Sequence, residues 1–371
     1  MAGRFKWQPA VLFSLSAVVG AWCARRAVFS LANLLAVNRI VKVMETTMLE
    51  ASQSSGLSTF HKCSLFNLFE VLFNKKSEHC HKLRIKNPDA VKKKLTRMIA
   101  LGKENLQVIS DFDWTLSKFV NKGEPNPTCH GIFEQDPDIT PETQNKLRIL
   151  RQTYHPIEVD PTIPVSMKIP IMLEWWDLSH KVITTSSIHK DTLQATVNQC
   201  NLALRDHVVD FMTQLHRQNI PMLIFSAGLG NVIELLLGRF NLCFDNVRVV
   251  SNFMDFNDEG LLIGFQEPII HTFNKTVATI SNSDYIKVLS KRSSIILLGD
   301  SSADPHMADG IHGESVDSHV NVLKIGYLND KAESLLDTYM DIYDIVLIDD
   351  ATFEIPLEVL NCIVHSQSLE V

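Results

Sequence analysis

Short, largely apolar runs recur along the chain from residue 106 onward, several of them followed at once by a polar residue. They are Leu106-Gln-Val-Ile-Ser110, Pro221-Met-Leu-Ile-Phe225, Val247 to Ser251, Ser294-Ile-Ile-Leu-Leu298, Val320 to Ile325 and Ile345 to Ile348. Strands that are apolar throughout, rather than alternating, are buried on both faces, which is how a parallel sheet covered by helices reads. Helical patterns separate the runs, so the fold class is α/β with a doubly wound core. In such sheets the ligand sits beyond the carboxyl ends of the strands, and Asp111, Ser226 and Asp300 occupy that position. Between residues 123 and 207 the strand pattern lapses and helical patterns dominate. Thr140-Pro141-Glu142 opens one of these helices with an N-cap and a first-turn proline. A helical insertion after the first strand reads as a cap over a site. Met254 to Gly264 reads as a hairpin turning at Asn257 to Gly260.

The N-terminal region has a different texture. Residues 10–23 are almost wholly apolar, with Arg4 and Lys6 before them and Arg25 and Arg26 after, and a second apolar stretch covers residues 27–37. Each is shorter than the ~20 residues a spanning helix needs. The first resembles a signal-peptide core or a short anchor. The sequon Asn274-Lys275-Thr276 encloses a lysine assigned below to the site, and a glycan there would block it. The expectation is a cytoplasmic catalytic domain, with a membrane tether at the endoplasmic reticulum through Ala10 to Val37 as an added option. His61, Cys63, His79, Cys80 and His81 match no zinc template and are assigned no chemistry.

Composition narrows the function classes. The 371 residues carry 35 Lys+Arg against 42 Asp+Glu, a net charge of -7, which leaves no basic surplus for a nucleic acid polymer. With 45% hydrophobic and 21% charged residues the chain builds a real core. The seven cysteines are scattered and contain no CxxC pair, so reduced thiols are the simplest account.

Four elements carry chemistry. Asp111-Phe-Asp113-Trp-Thr115 puts two carboxylates after the first strand, a pair that phosphoryl transfer can use as nucleophile and acid/base. Phe225-Ser226-Ala-Gly228 offers a hydroxyl and backbone N–H groups at what reads as a helix start, a cradle for phosphate oxygens. Lys275 offers an ammonium for charge on a transferring group. Gly299-Asp300-Ser-Ser-Ala-Asp304 suits a hard divalent cation, taken as Mg²⁺, with Asp300 as ligand and Asp304 in support. Singly, each has a bland reading: a loop carboxylate pair, an N-cap, a surface lysine. Their order and shared placement set them apart.

That order resembles the haloacid dehalogenase-like superfamily. Beyond it, Asp111-Phe-Asp-Trp-Thr-Leu-Ser117, Pro156-Ile-Glu-Val-Asp-Pro161, Glu174-Trp-Trp176, Phe225-Ser-Ala-Gly228, Val250-Ser-Asn-Phe-Met-Asp-Phe256, Leu298-Gly-Asp-Ser301, Met307-Ala-Asp-Gly310 and Leu323-Lys-Ile-Gly-Tyr-Leu-Asn-Asp330 resemble the pyrimidine 5′-nucleotidase family, also called cytosolic 5′-nucleotidase III. The likeness runs from about Arg84 to the C-terminus. It implies a haloacid dehalogenase-like, Rossmann-like core over 84–122 and 208–371 with a helical cap over 123–207, while the apolar runs make 1–83 an anchor-like segment and linker. It implies a Mg²⁺-dependent 5′-nucleotidase that hydrolyses nucleoside 5′-monophosphates, pyrimidine or 7-methylguanosine, through an aspartyl phosphate. Asp111 is then the nucleophile and Asp113 the proton donor. The metal is held by Asp111, Asp300 and the backbone carbonyl of Asp113, and the phosphate by Ser226, Ala227 and Lys275. Glu158 and Ser179 read the nucleotide.

Trp175 and Trp176 could stack on a base, but neighbouring tryptophans on a helix face different ways, and at least one should be packing. Ala303 stands where the family has glycine, an added methyl in a tight loop. A monomer is expected, and preference among bases and transfer to acceptors other than water are not encoded legibly. Two alternatives remain: a phosphatase or phosphomutase of the same superfamily acting on a small non-nucleotide phosphate, and a membrane-tethered, non-catalytic binding protein.

Overall fold

Leu106–Ser110, buried at every position, forms an interior strand of a seven-stranded sheet. The computed structural model describes residues 82–365, apart from 138, 277–278, 281–282 and 312–319, together with Leu72. The strands in chain order are β1 (Leu83–Arg84), β2 (Leu106–Ser110), β3 (Val120–Asn121), β4 (Glu124–Pro125), β5 (Met222–Leu229), β6 (Val247–Asn252), β7 (Met254–Phe256), β8 (Leu262–Phe265), β9 (Ser294–Gly299), β10 (Asn321–Leu328) and β11 (Ile345–Ile348). The helices are α1 (Pro88–Leu101), α2 (Ile132–Gln135), α3 (Pro141–Val159), α4 (Val165–Thr184), α5 (Lys190–Gln199), α6 (Val208–Arg217), α7 (Gly230–Arg239), α8 (Ser283–Leu289), α9 (Ala332–Ile342) and α10 (Glu354–His365).

Every apolar run named above lies in a sheet strand. The order across the sheet is β1-β11-β10-β9-β2-β5-β6, parallel throughout except for the two-residue β1, which pairs antiparallel with β11 at one edge. From β2 the chain builds outward through β5 and β6, then returns to the other side of β2 with β9 and continues to β10 and β11. The order reverses between β2 and β9, and the crevice beyond their carboxyl ends is where such a sheet binds ligands.

The helices follow their caps. Asn87 accepts from the Ala90 N–H at the start of α1, with Pro88 at the first turn, and Val91, Leu95 and Met98 form its buried stripe. Thr140 caps α3 with Pro141 at its first turn, as the sequence indicated. Helices α2 to α5 fill the stretch between β4 and α6. Small antiparallel pairings flank them. The hairpin of β3 and β4 turns at Lys122 and Gly123, both at positive φ (53° and 84°), the backbone of a type I′ turn. The hairpin of β7 and β8 turns where expected, with Asn257 Oδ1 accepting from the N–H groups of Glu259 and Leu261. The two crossings between insertion and sheet are stitched by a Ser117 and Leu204 bridge and by the Asn126 amide, which bonds the backbone of Lys118 and Ala203.

The apolar runs at 10–37 and the group His61, Cys63, His79, Cys80 and His81 lie outside the described residues. Among the described residues no helix is long and apolar enough to cross a membrane.

Candidate active site

Both flanks of the switch point deliver carboxylates. Asp111 follows β2 directly, its N–H still bonded to the Leu298 carbonyl of β9, and Asp300 follows β9 directly. Asp304 reaches back from the next turn: its Oδ2 accepts from the N–H groups of Asp300 (3.1 Å) and Ser301 (2.9 Å). Gly299 makes this possible, since a Cβ there would lie 2.3 Å from Asp304 Cβ. Carboxylate oxygens of Asp111, Asp300 and Asp304 come within 4.8 Å of one another. Lys275 enters the group, its Nζ 2.6 Å from Asp111 Oδ1 and 2.9 Å from Asp304 Oδ1, with all three side chains buried.

Charge explains what this cluster can hold. Burial, with the carboxylates of Asp304 and Asp113 adding to it, lifts Asp111 from its ordinary value to about 7 even though Lys275 opposes. Burial lifts Asp113 to about 6 against the Cys129 N–H that bonds its Oδ1 at 2.9 Å. Asp300 is raised further by burial, Asp111 and Asp304. Burial alone would lower the Lys275 ammonium, but Asp111 and Asp304 outweigh it and keep the lysine charged. Four acidic groups thus face one ammonium, and the donors are hard oxygens. A divalent hard cation fits that set.

The phosphate-side residues depart from the expected local structure. Ser226 does not open a helix, because β5 continues to Leu229 and α7 starts only at Gly230. Between Phe225 and Leu229 strand β5 advances four residues while β6 advances two, from Val250 to Asn252, so Ser226, Ala227 and Gly228 form a bulge. The bulge is pinned: Asn252 and Trp176 donate to the Ala227 carbonyl, Ser251 donates to that of Gly228, and the Gly228 N–H donates to Ser226 Oγ. A Cβ on Gly228 would lie 2.9 Å from Asp113 Oδ2. The bulge therefore packs directly on the second carboxylate of the DxD pair. Trp176 is the tryptophan spent on packing. Trp175 is less buried and lies parallel to Tyr154, ring centroids 5.9 Å apart.

The insertion brings Glu158 to the same place. It ends α3, half-buried, and accepts a hydrogen bond from the Thr272 hydroxyl, three residues before Lys275. Ser179 is buried one turn beyond Trp176 on α4, where Lys168, Met172, Trp176, Ser179, His180 and Ile183 form the inward stripe. The sequon asparagine is engaged internally, Asn274 Nδ2 donating to the Ile269 carbonyl.

Several groups that shape the site gave no signal in the sequence. Arg205, 2% exposed, donates to the carbonyls of Trp114, Thr115 and Ala351 and to the side chains of Asp350 and Asn329, and so fixes the loop after Asp113. Trp114 in that loop is left-handed, φ 60°, a conformation rare for a bulky residue. The Tyr339 and Tyr343 hydroxyls donate to the carbonyls of Asp300 and Ser301, both at 2.6 Å. Ala303 sits at φ -93°, ψ -24°, where alanine needs no concession, so its methyl does not disturb the loop.

Comparison with known proteins gives the family. The model of the pyrimidine 5′-nucleotidase (UMPH-1) family matches residues 114–364. The 7-methylguanosine phosphate-specific 5′-nucleotidase A of Xenopus laevis is 41% identical over 74% of this chain and 92% of its own. The protein of that description in Homo sapiens is 41% identical over 68% and 83%. The crystal structure of cytosolic 5′-nucleotidase IIIB bound to cytidine superposes with a TM-score of 0.73 at 35% identity, covering 81% of this chain and 99% of that one. With a family match across most of the chain and relatives this similar along nearly their whole length, the chain belongs to the pyrimidine 5′-nucleotidase family.

Proposed function

We propose that the protein is a Mg²⁺-dependent 5′-nucleotidase that cleaves nucleoside 5′-monophosphates, CMP and 7-methyl-GMP among them, to nucleoside and phosphate. The observation that carries this reading is the convergence of Asp111, Asp300 and Asp304 around Lys275 at the switch point of the sheet. The relatives' names, which include pyrimidine and 7-methylguanosine phosphates, support the substrate class.

Asp111 attacks phosphorus, and Asp113 gives its proton to the departing O5′, leaving nucleoside and an aspartyl phosphate. Asp113 then takes a proton from water, whose oxygen attacks phosphorus and releases phosphate with Asp111 restored. A carboxyl raised to about 6 suits Asp113 to both steps. Lys275 and the bulge at Ser226 and Ala227 bind the phosphoryl oxygens. Mg²⁺, held by Asp111, Asp300 and the Asp113 carbonyl with Asp304 bracing the loop, would offset the charge of the phosphate and the carboxylates when bound. Residues 123–207 act as the cap: Glu158 accepts hydrogen bonds from the base, and Ser179 lines its seat. The catalytic unit is taken as a monomer, and its place in the cytosol rests on the word cytosolic in the name of a Caenorhabditis elegans relative. A membrane tether through Ala10 to Val37 rests on the apolar runs alone.

The test is phosphate release from CMP, UMP, AMP and 7-methyl-GMP with Mg²⁺ and after chelation. Mg²⁺-dependent release from CMP or 7-methyl-GMP is expected. Turnover of p-nitrophenyl phosphate with none of any nucleotide would favour a small-phosphate phosphatase instead.

A further inference from the structure

Glu158 and Thr272 stand 114 residues apart in sequence, one ending a helix of the insertion and the other in the loop that carries Lys275. Their side chains meet, Thr272 Oγ1 donating to Glu158 Oε1. The backbone of Glu158 is held separately. Lys168 Nζ, from α4, donates to the Glu158 carbonyl at 2.7 Å and lies 5.3 Å from the centre of the Phe273 ring. The Thr272 loop is itself fixed: the His271 N–H bonds Asn274 Oδ1 at 2.8 Å, the Phe273 N–H bonds His271 Nδ1 at 3.2 Å, and the Asn274 amide bonds the Ile269 carbonyl. Glu158 is close enough to Lys275 for the two charges to act on each other.

Taking Glu158 as the base acceptor proposed above, we infer that Thr272 is a positioning residue for base recognition, its hydroxyl holding the Glu158 carboxylate so that Oε2 presents to the base. A glutamate has three rotatable bonds, and a side chain left to sample them loses that freedom at every binding event. A threonine three residues before the phosphate-binding lysine sets the acceptor at a fixed offset from the phosphate. That offset selects for a phosphate carrying a base with N–H donors over a phosphate without one.

The experiment is steady-state kinetics of the full chain on CMP and on p-nitrophenyl phosphate, which has no base. Thr272→Val keeps the shape and removes the hydroxyl. It should raise KM for CMP about tenfold, the scale of a hydrogen bond to a charged group, with kcat and p-nitrophenyl phosphate turnover unchanged. Thr272→Ser, which keeps the donor, should restore most of the loss. In a Glu158→Ala background, Thr272→Val should add little, since no side-chain acceptor is left for it to hold. Equal losses on CMP and p-nitrophenyl phosphate would mean that the bond only latches the insertion to the core, and would overturn the inference. Loss in Glu158→Ala without loss in Thr272→Val overturns this inference alone. An unchanged CMP KM in Glu158→Ala overturns the base-acceptor reading along with it.

Discussion

Asp111 and its neighbours hold more negative charge than Lys275 can offset, and this has a measurable sign. The folded-state pKa of Asp111, about 7, lies above its ordinary value of 3.8. Without metal, the folded protein therefore keeps a proton that the unfolded chain releases, and the associated stability is lost as pH rises from about 4 through 7. A cation binds the deprotonated carboxylates, so the rise in Tm caused by Mg²⁺ should be larger at pH 8 than at pH 5 in thermal melts. A Mg²⁺ effect that shrinks with pH would contradict this. Gly228→Ala should press its new methyl hardest on Asp113 Oδ2, with Cys129 Cβ next at 3.1 Å, and so lower kcat by more than it lowers the melting temperature. Asp111, Ser226 and Asp300 were legible because each polar residue follows an apolar run in the sequence. Thr272 and Arg205 were not, since their partners lie 114 and 91 residues away and neither has a local pattern.

The loop that carries Asp300 is held from outside by α9, whose Tyr339 hydroxyl and the adjoining Tyr343 hydroxyl fix two of its carbonyls. Tyr343→Phe should weaken Mg²⁺ binding about threefold to tenfold, the value of one hydrogen bond, without unfolding the protein. Titration of activity against Mg²⁺ reads this directly, and an unchanged midpoint would dismiss the tyrosine's role. Ala303→Gly should leave the same midpoint where it is, because the alanine already sits in ordinary helical backbone. Largely apolar strands of a covered sheet announce themselves by composition, and all six parallel strands did, although β6 at the edge is buried only at Ser251 and Asn252. The start of α7 was misplaced because Ser226 to Leu229 reads equally as a cap and as a bulged strand, and only pairing with β6 decides between them. The hairpin of β3 and β4 went unnoticed because two residues per strand leave no periodicity to read.

The whole molecule places one site between two sources: carboxylates from the ends of β2 and β9, and Glu158 and Trp176 from the helical insertion. Doubly wound order was legible from the apolar runs, while the insertion's docking rests on long-range contacts such as Trp176 with Ala227 and Glu158 with Thr272, which no local pattern announces. The residues proposed for catalysis all lie beyond Cys63, within the compact unit Cys63–Val371. A chain starting there should retain the full kcat and KM for CMP, and loss of turnover would tie the N-terminal region to the site. The central claim is that Asp111 is the nucleophile of a Mg²⁺-dependent nucleotidase. Phosphate release from CMP by the wild-type chain and by Asp111→Asn, each with Mg²⁺, tests it most directly. Release by the wild type and none above background from Asp111→Asn is expected. Undiminished release by Asp111→Asn would contradict it.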